Sequence, residues 1–271
     1  MAMKLIALAN QKGGIGKTTS SRHLFHYFVE KGLRTVAIDF DIQKNFTRSI
    51  LAVAVANGVE VPRDDLGRLE MPEGALVASG LFDAGNDAEP LEVGNNAFLV
   101  GADAGMLDIE RADLDDVIAV GKARFAQLKE RFDVGVIDTG PSVSGLLIVA
   151  LSVADFAVSP CKPDPDAIDG LLNFFDNVRR VAESGNNPHL SALGVLPNQV
   201  DLKRAFHRDL LKDMRDAWGD GVLPVNLYER AAIDQAKHRP VWRTEKGQRS
   251  RNKAATEMLT VCECISTRMG L

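Results

Sequence analysis

The chain is short of cysteine, of long apolar runs and of net positive charge, and each shortage removes a class of answer. Three cysteines in 271 residues, Cys161, Cys262 and Cys264, are an odd number without Cys-x-x-Cys spacing, which indicates neither a disulfide framework nor a zinc site. The cytoplasm is the expected compartment. No apolar stretch approaches the ~20 residues that cross a bilayer, and Met1 to Lys4 pass directly into an apolar strand, so neither a membrane span nor a signal peptide is expected. A formal charge of −5 at pH 7 argues against a uniformly basic coat for nucleic acid and leaves local patches to be sought by position. What the chain does have, 45% hydrophobic residues at this length, suffices for one large core and a single domain over residues 1–271.

The most informative stretch is Asn10-Gln11-Lys12-Gly13-Gly14-Ile15-Gly16-Lys17-Thr18-Thr19, set between an apolar strand (Leu5 to Ala9) and an amphipathic helix (Thr18 to Glu30). Glycines let the backbone wrap closely round a phosphate, so successive N–H groups from Gly13 to Thr19 and the positive end of the helix point at its oxygens. Lys17 then reaches the β- and γ-phosphates of a nucleoside triphosphate, and the Thr18 hydroxyl is placed to ligate Mg²⁺. Gln11 stands where the generic loop has glycine. At average residue usage this six-position spelling arises by chance in such a chain with a probability on the order of 10⁻⁵ to 10⁻⁴.

Two further strands end in acids. Arg34 to Asp39 is apolar and β-branched with Asp39 at its carboxyl end, followed by Asp41; Asp133 to Asp138 repeats the pattern. Carboxyl ends of strands are where open α/β sheets place ligands, and a carboxylate there can hold Mg²⁺ opposite Thr18. Strands are also expected at Ala97 to Gly101, Phe156 to Pro160 and Ala192 to Asn198, with helices over Ala112 to Phe132 and from Ala167. Residues 51–96, rich in Gly, Pro, Asp and Glu, read as surface helices and loops.

The spelling Lys12-Gly13-Gly14-x-Gly16-Lys17-Thr18 resembles the deviant Walker A box of the ParA/MinD family of ATPases. Asp39-Phe40-Asp41-Ile42-Gln43-Lys44-Asn45 is similar to that family's Asp-x-Asp-Pro-Gln-x-Asn box, with Ile42 at the proline, and Ile137-Asp138-Thr139-Gly140-Pro141 to its Ile-Asp-Thr-x-Pro switch. The resemblance covers nearly the whole chain outside residues 51–96. It implies an α/β fold with a mostly parallel twisted sheet and helices on both faces, Mg-dependent ATP hydrolysis, and a homodimer closed over two ATP molecules. Lys12 would act in trans on the other subunit's nucleotide, Asp41 would orient the attacking water, and Asp39 would support the metal shell held by Thr18 and Asp138. Asn198 would contact adenine; a buried Asn satisfied by backbone fits that position equally well. The N-terminal helix-turn-helix region of longer partition ATPases is not expected here.

Between Lys237 and Lys253 seven basic residues, among them Arg249, Arg251 and Lys253, face the single acid Glu245, a local reversal of sign suited to phosphate backbones. By resemblance Lys203 and Arg230, with the adjacent Arg204, join this set as candidates for non-specific DNA. The function implied is partition of plasmid or chromosomal DNA on the nucleoid with a ParB-like centromere-binding partner. The alternative is a MinD-like membrane-cycling or other cargo-positioning ATPase. The tail from Asn252 has an apolar stripe (Ala254, Met258, Val261, Cys262, Ile265, Met269), but its other face (Thr256, Glu257, Thr260, Glu263, Ser266) does not favour anionic lipid, so no membrane partner is expected.

Overall fold

Alternation along the first strand, β1 (Lys4–Leu8), sets up the architecture. Leu5 and Ala7 enter one apolar cluster and Ile6 and Leu8 another, because successive side chains leave opposite faces of a strand. A strand buried on both faces requires helices over both. The computed structural model describes residues 3–141, 145–243 and 249–271, with the backbone alone for residues 249–252.

Among the described residues β1, β2 (Thr35–Asp39), β3 (Leu91–Gly94), β4 (Ala97–Val100), β5 (Val134–Asp138), β6 (Phe156–Cys161) and β7 (Ser191–Pro197) form one sheet in the order β3-β4-β2-β5-β1-β6-β7. Every pairing is parallel except the edge hairpin of β3 with β4. This is the mostly parallel α/β sheet that the sequence leads one to expect. The helices are α1 (Lys17–Glu30), α2 (Asn45–Ala56), α3 (Met106–Arg111), α4 (Leu114–Lys129), α5 (Gly145–Val153), α6 (Ala167–Glu183), α7 (Ala205–Trp218), α8 (Ala231–Gln235) and α9 (Arg249–Arg268). Phe25 and Phe28 of α1, Ile50 of α2 and Met258 of α9 share a cluster with Ile6 and Leu8. Phe125 of α4, Val149 of α5 and Phe174 of α6 share the other with Leu5 and Ala7. Each such fully buried side chain contributes roughly 1.5–3 kcal/mol.

Two local readings differ from the pattern of the sequence. The helix expected over 112–132 is present but shorter at both ends: Asp113 has an extended backbone and its carboxylate accepts from the N–H groups of Asp115 and Asp116, so it caps α4 and separates it from α3, which precedes the expected helix. In 51–96, β3 is a strand whose partner β4 reaches it through a Gly94-Asn95-Asn96 turn, with Asn96 at φ 59°. Asn tolerates that left-handed conformation better than most residues.

Strand register brings the site together. Leu8 lies beside Asp138, and Asp138 beside Asp39, so the glycine loop and both strand-end acids share one carboxyl edge of the sheet, where ligands of open α/β sheets bind.

Candidate functional site

The loop after β1 takes its shape from glycines at positive φ, Gly14 at 72° and Gly16 at 92°, where a Cβ would be strained. Gly16 is the N-cap of α1 and uses no side chain, so the first N–H groups of the helix face the cleft with no capping partner among the described residues. The cleft, about 370 Å³, is lined by the loop, Asp41, Gln43, Thr139, Pro141 and Gln199 among others. A side cavity of about 120 Å³ adjoins it, sharing Gly16, Thr19, Gln199 and Asp234 and adding Asn198, Tyr228, Glu229, Arg230 and Ile233. Nothing in the sequence alone singled out Tyr228, Ile233 or Asp234.

The two lysines of the loop are held in opposite ways. Lys17 is 6% exposed and donates to the Lys12 carbonyl at 2.9 Å. Burial lowers its pKa, against the nearby charges of Asp138 and Asp41. Lys12 points out over the rim, its side chain 37% exposed, and is bonded to Asp164 at 2.7 Å and Asp166 at 3.1 Å in the segment between β6 and α6. The hydrogen bond to Asp164 is the main cause of its raised pKa. No motif marks these two acids.

The strand-end carboxylates are buried. Asp138 accepts from Ser21 of α1 at 2.8 Å, with Thr18 near enough to lower its pKa, while its Oδ2 has no partner among the described residues. Burial chiefly raises its pKa, with the charge of Asp41 adding to the effect. Thr18 and an unsatisfied buried carboxylate oxygen make a hard-oxygen pair that fits Mg²⁺, an ion that takes one or two protein ligands plus phosphate and water. Asp39 is differently placed: it accepts from the backbone N–H of Asp41 and from both the N–H and hydroxyl of Thr47 in the first turn of α2. Its carboxylate thus ties the loop to α2. Burial, then the charge of Asp138, push its pKa up. Asp41 lies over the cleft, and its carboxylate closes the turn by accepting from the Gln43 N–H at 3.0 Å. Gly140 approaches it so closely that a Cβ there would lie 3.4 Å from Asp41 Oδ1.

The candidate DNA residues are not one free cluster. Lys203 and Lys253 are exposed. Arg204 lies 3.4 Å from Asp201. Arg230 is gripped by Glu257 of α9 through two bonds, 2.8 and 2.5 Å, and stacks over Tyr228. Its charge is therefore already met within the chain. Lys203 and Arg230 flank one open hollow of about 510 Å³. The side chains of Arg249 and Arg251 lie outside the described residues. Segment 237–243 is fastened to α1: Arg22 donates to the Lys237 carbonyl at 2.8 Å, Val241 N–H donates to His23 Nε2 at 3.2 Å, and Arg243 pairs with Glu30 at 2.6 Å.

A parallel sheet with a glycine loop between β1 and α1, and acids at the ends of β2 and β5, defines a P-loop nucleotide triphosphatase. A family model described as an AAA domain matches residues 3–192. The chain belongs to that family, on its ParA/MinD-like branch. Protein IncC of Escherichia coli is 29% identical over 277 residues, 99% of this chain and 70% of IncC. The chromosome-partitioning ATPase Soj of Thermus thermophilus is 29% identical over 265 residues, 95% of this chain and 96% of Soj. An ATP complex of a Cyanothece McdA variant matches with a TM-score of 0.78 at 21% identity, over 98% of this chain and 97% of that one, a likeness of fold.

Proposed function

We propose that this protein is a Mg-dependent partition ATPase that dimerises on ATP, attaches non-specifically to nucleoid DNA and is stimulated by a ParB-like centromere-binding partner. The observation that supports the reading is the division between its lysines: Lys17 lines its own cleft, while Lys12 is held at the rim by Asp164 and Asp166 and is not part of that lining. A rim lysine on the carboxyl edge of the sheet has little to do for its own nucleotide and is placed to serve one presented by a facing copy.

In this reading the N–H groups from Gly13 to Thr19 and the Lys17 ammonium bind the triphosphate and stabilise charge on the transferred phosphoryl group. Thr18 and Asp138 would hold Mg²⁺, which would supply neutralisation of phosphate charge. Asp41 orients water for attack, and Lys12 of the facing subunit completes the neutralisation. Asp39 acts on the metal shell at one remove, through the Asp41 N–H it fixes. The name of Soj, a chromosome-partitioning ATPase, supports a partition role, and Lys203, Lys253, Arg204 and Arg230 are the described candidates for DNA phosphates. The apolar stripe of α9 is buried from Ala254 to Met269, which leaves it no free face for lipid; no described helix is long and apolar enough to cross a membrane.

The test is sedimentation and ATPase rate in ATP or ADP, with and without DNA and a candidate partner. Expected are an ATP-specific dimer, DNA binding that follows it, and a rate raised by partner and DNA together. A monomer in saturating ATP, or equal DNA binding in ADP, ends the reading.

A further inference from the structure

Beside the glycine loop, the end of β7 carries two amides whose direction is fixed by what they touch. Asn198 Nδ2 donates to the Ile15 carbonyl at 2.6 Å, and its Oδ1 accepts from the Gln199 N–H at 2.8 Å. Gln199 Nε2 donates to the Gly14 carbonyl at 2.8 Å. A carbonyl can only accept and a backbone N–H can only donate, so these partners settle which way the Asn198 amide is turned. The approach is close enough that a Cβ on Gly16 would sit 2.1 Å from Asn198 Nδ2. Gln199 adopts φ 54° to make its contact, a conformation costing a non-glycine residue about 1 kcal/mol or more. Asn198 is itself anchored, its N–H donating to the Cys161 carbonyl of β6 at 2.8 Å.

The peptide group is planar and trans, so the carbonyl of one residue and the N–H of the next point in opposite directions. Holding the Gly14 and Ile15 carbonyls toward β7 therefore turns the N–H groups of Ile15 and Gly16 away from it, to the phosphate side of the loop. We infer that Asn198 and Gln199 are positioning residues for triphosphate binding, which set the direction of two phosphate-facing N–H groups. The inference rests on the reading of the loop as a triphosphate site. It explains why a strained glutamine and a buried asparagine stand side by side: each supplies one N–H to one of two consecutive carbonyls.

The experiment compares ATP, GTP and inorganic tripolyphosphate as ligands, by calorimetry or displacement of a fluorescent nucleotide, for the wild type, Asn198→Ala, Gln199→Met and Lys17→Ala. Gln199→Met keeps the bulk of the side chain and removes its donor at a partly exposed position, so it is the variant to rely on if Asn198→Ala melts early. Expected is a loss of about tenfold for Asn198→Ala, which is ~1.4 kcal/mol, and about threefold for Gln199→Met. Tripolyphosphate and ATP lose by the same factor, the ATP to GTP ratio is unchanged, and the melting temperature of Gln199→Met is that of the wild type. A loss confined to ATP, with tripolyphosphate unaffected, overturns the inference in favour of base reading. Unchanged affinities in both variants overturn it as well. If the wild type binds no tripolyphosphate or ATP, or Lys17→Ala binds them as tightly, the triphosphate site itself is wrong and the inference falls with it.

Discussion

The glycine loop and the described basic residues between Lys203 and Lys253 both supply cations, yet they treat them in opposite ways. At the loop, Lys17 is buried against a backbone carbonyl and, among the described residues, no carboxylate forms an ion pair with it; the site stays electropositive because the donors around it are N–H groups with no capping partner among those residues. On the basic surface Arg204, Arg230 and Arg243 each meet an acid, Asp201, Glu257 and Glu30. A count of basic residues thus overstates the charge available to a ligand. Lys12 belongs by position to the loop and by chemistry to the second group, since Asp164 and Asp166 already hold it.

The contrast breaks most visibly at Lys17. Lys17→Ala removes the buried ammonium, whose charge-assisted hydrogen bonds to phosphate are worth roughly 1.5–3 kcal/mol, so ATP affinity measured by calorimetry is expected to fall by about 100-fold. Lys12→Ala is expected to bind ATP within about threefold of wild type while losing the ATP-dependent dimer. Equal losses in the two variants erase the distinction.

The two regions are joined through His23, which makes the joint testable by pH. His23 Nδ1 faces the Thr19 carbonyl at 2.7 Å and Nε2 accepts from Val241, so the ring must be neutral; burial, with the charge of Arg22, lowers its pKa to about 3. A folded-state pKa below the unfolded value means that the unfolded chain binds the proton more readily. The stabilisation is complete above about pH 6.5 and is lost as pH falls toward 3. Between pH 6 and 4 the wild type is expected to lose up to ~1.4 kcal/mol per pH unit from this group. His23→Gln should show a melting profile shallower by about one proton, and parallel profiles would show that His23 titrates freely. A smaller effect is expected when Asp164→Asn and Asp166→Asn are combined. Releasing Lys12 from two partly exposed pairs, worth ~1 kcal/mol together, should let the ATP dimer form at about fivefold lower protein concentration in a sedimentation series. No shift would mean that Lys12 leaves its acids at no cost.

How much of this was open to a reader of the sequence follows the same division. The parallel strands were legible because burial on both faces makes β1, β2 and β5 continuous apolar runs, and a run that ends in Asp39 or Asp138 carries its own boundary. The loop was legible because its geometry is made by backbone, and only glycines at Gly14 and Gly16 permit it. β3 was not, since only Val93 of its four residues is buried and they become a strand only by pairing with β4. Asp164 and Asp166 belong to no pattern and reach Lys12 through the sheet order. The bond of Asp39 to Thr47 spans eight residues and a helix start, so the sequence shows the acid without showing what engages it. The alternative of a backbone-satisfied Asn198 could be written down from the sequence, but only the fold names Ile15 as its partner.

Arg230 provides the finest probe of the basic surface. Its guanidinium is held by Glu257 in the forked geometry that suits a carboxylate, and the same fork suits a phosphate. If DNA is the outside ligand, Glu257 competes for Arg230, and Glu257→Gln frees one cation per subunit. Expected is a gain in non-specific duplex affinity of about threefold at low salt, with the log–log salt slope steeper by about 0.9. Arg230→Ala alone should change little in the wild-type background and should cancel the gain in the Glu257→Gln background, a coupling that a double-mutant cycle reads directly. If instead the pair only pins α9 to the segment before α8, Glu257→Gln lowers the melting temperature and leaves the salt slope where it was. In that case the charge that meets DNA resides on lysines with no acid partner among the described residues, such as Lys203 and Lys253, and Lys203→Ala should carry the change in slope that Arg230 does not.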